Sequence, residues 1–363
     1  KRKNSFKNRN KEKHYKSFYK LIVLSLALIF TFFSLPSVVT YISKNFTPNK
    51  IIINASNKTF TELINQESDE GKKKVKIVEK VSIFKDIYND IDFFSKKGKE
   101  GSNSSRLSAS TIEELFKDTK YNLKTVRKTK LVNIGNSIDH LPKEIKNIES
   151  VKKKKKLFIQ IVLPLIIEEN TRIKLDRKKL FIILNKSKNS DKEKKWLKDK
   201  FVQYGVKNKD LSNLKIRMDI IPASLAIAQA AKETGWGTSR FAQEGNALFG
   251  QWTWNGEGIK PAAVDDDAKH KVMRFKVLKA SVRAYQRNLN THSSYEQFRL
   301  ERAVQRDNYG KLNSLELVNY LDKYAETGIE YIKVIKKIIN QNSLIDFDDV
   351  KILPTSNKLK SII

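Results

Sequence analysis

An alanine-rich helical pattern that runs directly into a cluster of glycines and tryptophans constrains the fold of this chain more than any other stretch. The pattern covers residues 219–236 and carries Glu233 in its last turn, and residues 235–258 hold six of the thirteen glycines and three of the four tryptophans. We predict one helix here, capped by Asp219 and with Pro222 in its first turn, which the glycines end. The helix would deliver one carboxylate into a loop rich in glycine and aromatic residues.

The position of Glu233 suits it to act as a general acid. Cleavage of a glycosidic bond needs a carboxylic acid that is still protonated near neutral pH and can give its proton to the leaving oxygen. The negative end of the helix dipole disfavours the charged form of Glu233, and Trp236 would desolvate it further, as a tryptophan does in lysozyme, the known example. Trp236, Trp252 and Trp254 could stack on sugar rings. On spacing alone, a solvated glutamate and a tryptophan that plugs the core remain the alternatives.

The chain of 363 residues has a formal net charge of +32, which would suit a polyanionic partner. Residues 1–20 carry nine Lys or Arg and one acid, residues 151–200 carry seventeen and six, and residues 219–300 carry eleven and eight. Because the region around Glu233 is nearly neutral, we do not expect nucleic-acid binding. The absence of cysteine excludes disulfides and thiolate metal sites. Four histidines without paired ligand spacing argue against zinc, so we expect no metal and no other cofactor.

Residues 21–42, LIVLSLALIFTFFSLPSVVTYI, contain no charged side chain. A helix of this length can cross a bilayer core of about 30 Å. A cleaved signal peptide would have a shorter apolar core and small residues at its exit. The basic segment 1–20 places the N-terminus in the cytoplasm. We therefore predict a single-pass signal anchor in the inner (cytoplasmic) membrane, with the bulk of the chain outside.

The remaining chain is predicted to be mainly helical with a small β lobe. Residues 43–125 are interpreted as a spacer of uncertain structure. Segments 258–264 and 271–277 frame an Asp-rich turn and predict a hairpin. The lysine run 152–156 is most simply a solvated helix start, and residues 188–195 are expected to be a loop. Helical patterns cover residues 151–168, 178–185, 196–204, 279–290, 295–305, 315–325 and 329–339.

Residues 221–252, IPASLAIAQAAKETGWGTSRFAQEGNALFGQW, closely resemble the signature of the Bax-type branch of the peptidoglycan endo-β-N-acetylglucosaminidase superfamily. The resemblance covers about residues 128–343. It includes the upstream segments LPKEIKNIESVKKKKKLFIQIVLPLI and WLKDKFVQYG and the downstream segments SVRAYQRNLNTHSSYEQFRLERA and YAETGIEYIKVIKKII. The resemblance implies a lysozyme-like helical domain with a small β-hairpin lobe. It also implies hydrolysis of the β-1,4 bond after N-acetylglucosamine in the glycan strands of peptidoglycan.

The resemblance also implies roles for individual residues. Glu233 matches the general acid of the superfamily, and Tyr324, in the YAET element, matches a tyrosine that lies in the catalytic groove of many members. Asn246 and Phe249 fall on the N-x-LFG element beside the cleft. We expect Phe249 to pack in the core, whereas Asn246 is suited either to holding the loop or to binding substrate. Asn246 and Gln251, together with the three tryptophans, are our candidates for substrate binding.

The second catalytic group is less well defined. Many superfamily members carry an acidic residue on a β-hairpin across the cleft that activates water, and Asp265 is the candidate here, although residues 265–267 are equally a solvated turn. Without it, Tyr324 could position the water, or the substrate's acetamido group could take part. Retention or inversion depends on the separation of the carboxylates and stays open. We expect His292 to be a structural hydrogen-bonding residue.

The predicted organisation is a basic cytoplasmic segment at 1–20, the transmembrane anchor at 21–42, the spacer at 43–125, a glucosaminidase domain at 126–345 and a tail at 346–363. The catalytic core is expected at about residues 215–343. We expect a membrane-anchored peptidoglycan hydrolase that acts in the periplasm or wall space. A lytic transglycosylase on the same fold and a non-catalytic wall-binding or scaffold protein are the alternatives.

Overall fold

The computed structural model describes residues 106–253, 258–260 and 271–353, all of which belong to one compact unit spanning residues 55–363. The prediction of a mainly helical protein is confirmed. The helices are α1 Ala109–Asp118, α2 Leu123–Thr129, α3 Val151–Leu184, α4 Asp191–Gln203, α5 Leu211–Arg217, α6 Ala223–Thr234, α7 Arg240–Gly245, α8 Leu278–Thr291, α9 Glu296–Tyr309, α10 Ser314–Leu317 and α11 Ile329–Gln341. The strands are β1 Leu131–Val132, β2 Trp252–Thr253, β3 Gly258–Ile259, β4 Lys271–Met273 and β5 Lys351–Ile352.

Helix α3 is a single element of 34 residues, where the sequence predicts two shorter segments. The polar stretch between the two predicted segments interrupts the apolar pattern, so the sequence does not show that the helix is continuous. The polar side chains have partners on other elements. Asn170, for example, is buried and donates to the carbonyl oxygen of Ile221 at 2.8 Å. The predicted loop 188–195 is wrong in its second half, since α4 begins at Asp191. A reciprocal capping box between Ser190 and Glu193 starts this helix.

Helix α6 lies at the centre of the molecule and packs against α3, α11 and the 3₁₀ turn Leu344–Phe347. Its run of alanines is almost fully buried and lets the neighbouring helices approach closely. The prediction that Asp219 caps this helix is wrong. Asp348 accepts hydrogen bonds from the Ser224 backbone N–H at 2.7 Å and from the Ser224 hydroxyl at 2.8 Å. Asp219 is instead buried in a two-point ion pair with Arg306 of α9.

The small β lobe is a three-stranded antiparallel sheet in the order β2, β4, β3. Ile259 pairs with Val272 and Trp252 pairs with the same residue from the other side. The predicted pairing of the two segments around the Asp-rich turn is thereby confirmed for the described strands. The turn itself lies outside the described residues.

The hydrophobic core extends beyond both predicted limits of the domain at residues 126 and 345. Ile112 and Phe116 of α1 and Phe347 and Ile352 near the C-terminal end belong to the same buried cluster as α6. The short strands β1 and β5 pair in parallel and tie the two ends of the domain together. Part of the predicted spacer and part of the predicted tail therefore complete the core.

The predicted membrane anchor at residues 21–42 lies outside the described residues, as does the basic segment before it. In the part of the chain that the structure describes, no helix has both the length and the apolar composition needed to span a bilayer.

Candidate active site

Glu233 is held at the C-terminal end of α6 by a tight reversal of the chain. Gly235 and Trp236 both have left-handed backbone conformations, with φ of 56° and 62°. The backbone N–H of Trp236 donates to the carbonyl oxygen of Ala231 at 3.0 Å, and Thr234 Oγ1 accepts from the N–H of Gly237 at 2.9 Å. Since these bonds satisfy the end of the helix, the predicted stop at the glycines is confirmed. The reversal turns the chain away and leaves the Glu233 side chain at the helix end.

The carboxyl group of Glu233 lies in a half-buried position that favours its protonated form. Burial raises the pKa of Glu233 above its ordinary value, while a hydrogen bond with Tyr331 and the nearby charge of Lys232 lower it by smaller amounts. The opposite wall is Gly250, whose φ is +61° and where an added Cβ would lie 3.5 Å from Glu233 Oε2. Glycine at this position therefore leaves space beside the carboxyl group.

Tyr331 connects Glu233 to a buried chain of hydrogen bonds. The Nε2 group of Gln229, one turn before Glu233 on α6, donates to the Tyr331 hydroxyl at 2.8 Å. The Oε1 atom of the same glutamine accepts from the Tyr285 hydroxyl at 2.6 Å. Gln229 and Tyr285 are fully buried, and Tyr331 is almost so. The amide of Gln229 thus fixes one tyrosine from α11 and one from α8 beside the catalytic candidate.

Tyr324 belongs to the same aromatic cluster. Its ring stacks on that of Tyr331 with centroids 5.5 Å apart and an interplanar angle of 15°. Its hydroxyl donates to the carbonyl oxygen of Phe249 at 3.1 Å. Burial, and the neighbouring Tyr331 and Glu233, raise the pKa of Tyr324 well above its ordinary value. Near neutral pH Tyr324 is therefore a protonated phenol, a hydrogen-bond donor rather than a base.

The N-x-LFG element packs into the core beside Glu233. Phe249 is buried and stacks on Tyr285 with centroids 3.8 Å apart, in agreement with the predicted core role. The side chain of Asn246 is only 4% exposed, and its Nδ2 group donates to the carbonyl oxygens of Phe275 at 3.0 Å and Lys276 at 2.9 Å. Of its two predicted roles, this geometry favours holding the loop over contact with a sugar.

The tryptophans divide into different roles. Trp236 is partly buried, with its ring edge-on to Phe158 at 5.8 Å and the Lys155 amine 4.8 Å from its centroid. The ring is thus committed to packing, as in the alternative in which a tryptophan plugs the core. Trp252 on β2 is 49% exposed. Of the predicted sugar-stacking tryptophans that the structure describes, it is the one that stays a candidate for this role. Trp254 lies outside the described residues.

Three further residues singled out in the sequence remain, namely Gln251, Asp265 and His292. The Oε1 atom of Gln251 is buried and has no hydrogen-bond partner among the described residues, which fits a group that accepts a hydrogen bond from substrate. Asp265 lies outside the described residues, so the second carboxylate stays a prediction.

His292 has the expected structural role, since its Nδ1 accepts from the N–H of Ser294 at 3.2 Å and caps a 3₁₀ turn. No cluster of three potential metal ligands occurs among the described residues.

Sequence reasoning missed Tyr331, Gln229 and Tyr285 as members of the site. One signal was present, because Gln229 is the only polar side chain in the alanine-rich run between Ser224 and Lys232. A buried amide in such a run needs partners for both its N–H₂ and its C=O groups. The partners themselves come from helices far away in sequence, so only the structure identifies them.

The comparison with known proteins defines the class of this domain. Residues 209–344 match the family model of glucosaminidase, described as mannosyl-glycoprotein endo-beta-N-acetylglucosaminidase. Within that class, the chain is 34% identical to Protein bax of Escherichia coli (strain K12) over 185 residues, which are 49% of this chain and 66% of that protein. Residues 209–344 are therefore similar to glucosaminidase domains, and the chain is similar to a Bax-type protein. It spans just under two thirds of the length of this relative, and no solved structure matches it significantly.

Proposed function

We propose that this protein hydrolyses the β-1,4 bond after N-acetylglucosamine in the glycan strands of peptidoglycan, with Glu233 as the general acid. The family supports a glycosidase of this substrate class. The observation that carries the proposal is the environment of Glu233. Burial raises the pKa of its carboxyl group, Gly250 has no Cβ to cover that group, and a hydrogen-bonded group of tyrosines lies beside it.

The proposed reaction begins with proton transfer from Glu233 to the glycosidic oxygen. As the bond between C1 and this oxygen breaks, positive charge develops on the sugar ring, and the departing sugar keeps the proton. A water molecule then supplies the oxygen that bonds to C1 and gives up a proton to a base. Asp265, Tyr324 as a positioning group and the acetamido group of the substrate remain the candidates for this second half of the reaction.

The described residues of the site act in the first half of the reaction, in which Glu233 gives its proton to the glycosidic oxygen. Tyr331 lowers the pKa of the Glu233 carboxyl group, and Gln229 holds the Tyr331 hydroxyl by a hydrogen bond of 2.8 Å. Tyr324 fixes the Phe249 carbonyl and hence the approach of Gly250 to the carboxyl group. We assign Trp252 to stacking on a sugar ring next to the bond that breaks, and Gln251 to a hydrogen bond with substrate.

We further propose that residues 21–42 anchor the chain in the cytoplasmic membrane and that the catalytic domain works in the periplasm or wall space. This proposal rests on the uncharged length of the segment and on the basic residues that precede it.

The product ends test the reaction directly. Purified peptidoglycan is digested with the full chain and the new ends are identified by mass spectrometry. New reducing-end N-acetylglucosamine is the expected product, whereas anhydro-muramyl ends would establish a lytic transglycosylase instead. Binding to the strands without any new ends would assign the protein to the non-catalytic alternative.

A further inference from the structure

A second cleft lies between the end of α1 and the first turns of α3. Its volume is about 550 Å³. Four lysines stand on its walls, Lys117 and Lys120 on one side and Lys153 and Lys156 on the other, and Glu113 is the one acidic residue that lines it. All four lysine side chains are exposed.

The floor of this cleft is a fixed part of the core. The Tyr121 hydroxyl donates to the carbonyl oxygen of Gln160 at 2.9 Å, and Gln160 Nε2 donates to the carbonyl oxygen of Tyr121 at 3.1 Å. The ring of Phe116 meets that of Tyr121 edge-on at 4.9 Å. Because these side chains are buried and bonded to one another, the cleft is a preformed cavity with an apolar floor.

The five-lysine run at the start of α3 divides between two tasks. Lys154 donates to the carbonyl oxygen of Lys146 at 3.5 Å, and the amine of Lys155 lies over the ring of Trp236. Lys153 and Lys156, one turn apart, instead line the cleft. Among the described residues, neither forms an ion pair, and the same is true of Lys117 and Lys120 across the cleft.

We propose that this cleft binds the phosphate of an anionic phospholipid headgroup. Four ammonium groups line it, and lysine is a common phosphate ligand that acts as a point charge. The apolar floor beneath them suits the glycerol and first acyl carbons that a lipid phosphate carries. The cavity volume of about 550 Å³ can hold one headgroup, and none of the residues that line it belongs to the candidate active site.

The place of the cleft in the chain favours a lipid over free phosphate. It is built from the first elements of the packed domain, and residues 106–160 carry fourteen Lys or Arg and six acids. The anchor proposed at residues 21–42 would tether the chain to a bilayer and so raise the local concentration of lipid headgroups. The preference for a lipid over free phosphate rests on that proposed anchor. Binding here requires no catalysis, so the proposal does not depend on the reaction assigned to Glu233.

Amine footprinting of the full chain tests the proposal. The protein is kept in a neutral detergent and labelled with an acetylating reagent in the presence of dihexanoyl phosphatidylglycerol, dihexanoyl phosphatidylcholine or inorganic phosphate. The extent of labelling at each lysine is then read by mass spectrometry. The exposed lysines 188, 192, 195 and 198 serve as the control set within the same molecule.

We expect phosphatidylglycerol to slow labelling of Lys117, Lys120, Lys153 and Lys156 several-fold while the control set labels as before. The double variant Lys153→Gln, Lys156→Gln should lose this protection at the remaining cleft lysines, whereas Lys192→Gln, Lys195→Gln should keep it. Equal protection of both lysine sets, or none, would overturn the proposal. So would protection by inorganic phosphate or phosphatidylcholine as strong as that by phosphatidylglycerol.

Discussion

The Nε2 group of Gln229 on α6 donates to the hydroxyl of Tyr331 on α11 at 2.8 Å, and this tyrosine lowers the pKa of the Glu233 carboxyl group one turn further along α6. Two opposing effects meet at this carboxyl group. Burial raises the pKa of Glu233, and the tyrosine lowers it by a smaller amount. Tyr331 thus orients the acid and lowers its pKa. It is a positioning residue, and its removal should raise the pKa of Glu233.

Replacement of Tyr331 by phenylalanine should raise the pKa of Glu233 further, because the bond that lowers it is lost. A general acid works in its protonated form, so the alkaline limb of the pH–rate profile should move to higher pH. The profile of Tyr309→Phe, which changes an exposed tyrosine, provides the matched control. An unchanged alkaline limb in the Tyr331→Phe variant would show that Tyr331 does not influence the pKa of Glu233.

The carboxylate that caps α6 should make stability depend on pH. Burial raises the pKa of Asp348 to about 6 from an ordinary value of 3.8. Since the folded pKa is the higher one, the stability linked to this group is complete below pH 3.8 and is lost as the pH rises through about 6. The difference amounts to roughly 3 kcal/mol at most.

Urea unfolding at pH 4 and pH 7.5 measures this effect. The wild-type protein should lose stability between the two values, and Asp348→Asn, which cannot titrate, should lose markedly less. Equal losses in the two proteins would show that Asp348 is not a source of the pH dependence.

The buried pair of Asp219 and Arg306 should be strongly coupled. Arg306→Gln removes two hydrogen bonds from a carboxylate that is 3% exposed, while the charges of Arg177 and Arg302 stay near it, so we expect a destabilisation of about 1–3 kcal/mol. The double variant Asp219→Asn, Arg306→Gln also removes the charged acceptor of these bonds and should lose less stability than the sum of the two single variants. Additive effects of the two single variants in urea unfolding would contradict the coupling.

Substitutions of Trp252 and Trp236 should have different effects, the first mainly on glycan binding and the second mainly on stability. Trp252→Ala removes a ring that is 49% exposed and should change the free energy of unfolding by no more than about 0.5 kcal/mol, while it weakens binding to glycan fragments about three- to tenfold. Trp236→Ala removes packing against Phe158 and should cost about 2 kcal/mol or more of stability. Calorimetric titration and urea unfolding of both variants measure the two quantities. A stability loss confined to Trp252→Ala would reverse the assignment.

Local signals in the sequence predicted the helices, the end of α6 and the strand pairing of the β lobe. The glycines after Thr234 adopt left-handed conformations that side chains resist, so their position in the sequence marks the turn. The Asn246 contacts were not predictable in this way, because a buried asparagine on a loop has the same local sequence as one that faces substrate. Its partners, Phe275 and Lys276, come from the segment after β4.

The errors share a physical cause, which is that tertiary partners replace local ones. Asp219 stands where a helix cap would stand, yet Arg306 of α9 binds its carboxylate and Asp348 supplies the cap. The polar stretch within α3 breaks the apolar pattern because residues such as Asn170 are buried against other elements. The tyrosine cluster at Glu233 likewise depends on three separate segments of chain that only the packed core brings together.

Cleavage of peptidoglycan by the Glu233→Gln variant of the full chain tests the central claim most directly. Glutamine keeps the size of the side chain but cannot donate the catalytic proton, so the rate at which new reducing-end N-acetylglucosamine appears should fall by about 10²–10⁴-fold. Urea unfolding should show a folded variant, and Glu330→Gln, at a carboxylate that is 68% exposed next to Tyr331, should retain the wild-type rate. Wild-type cleavage by a folded Glu233→Gln variant would contradict the assignment of Glu233 as the general acid.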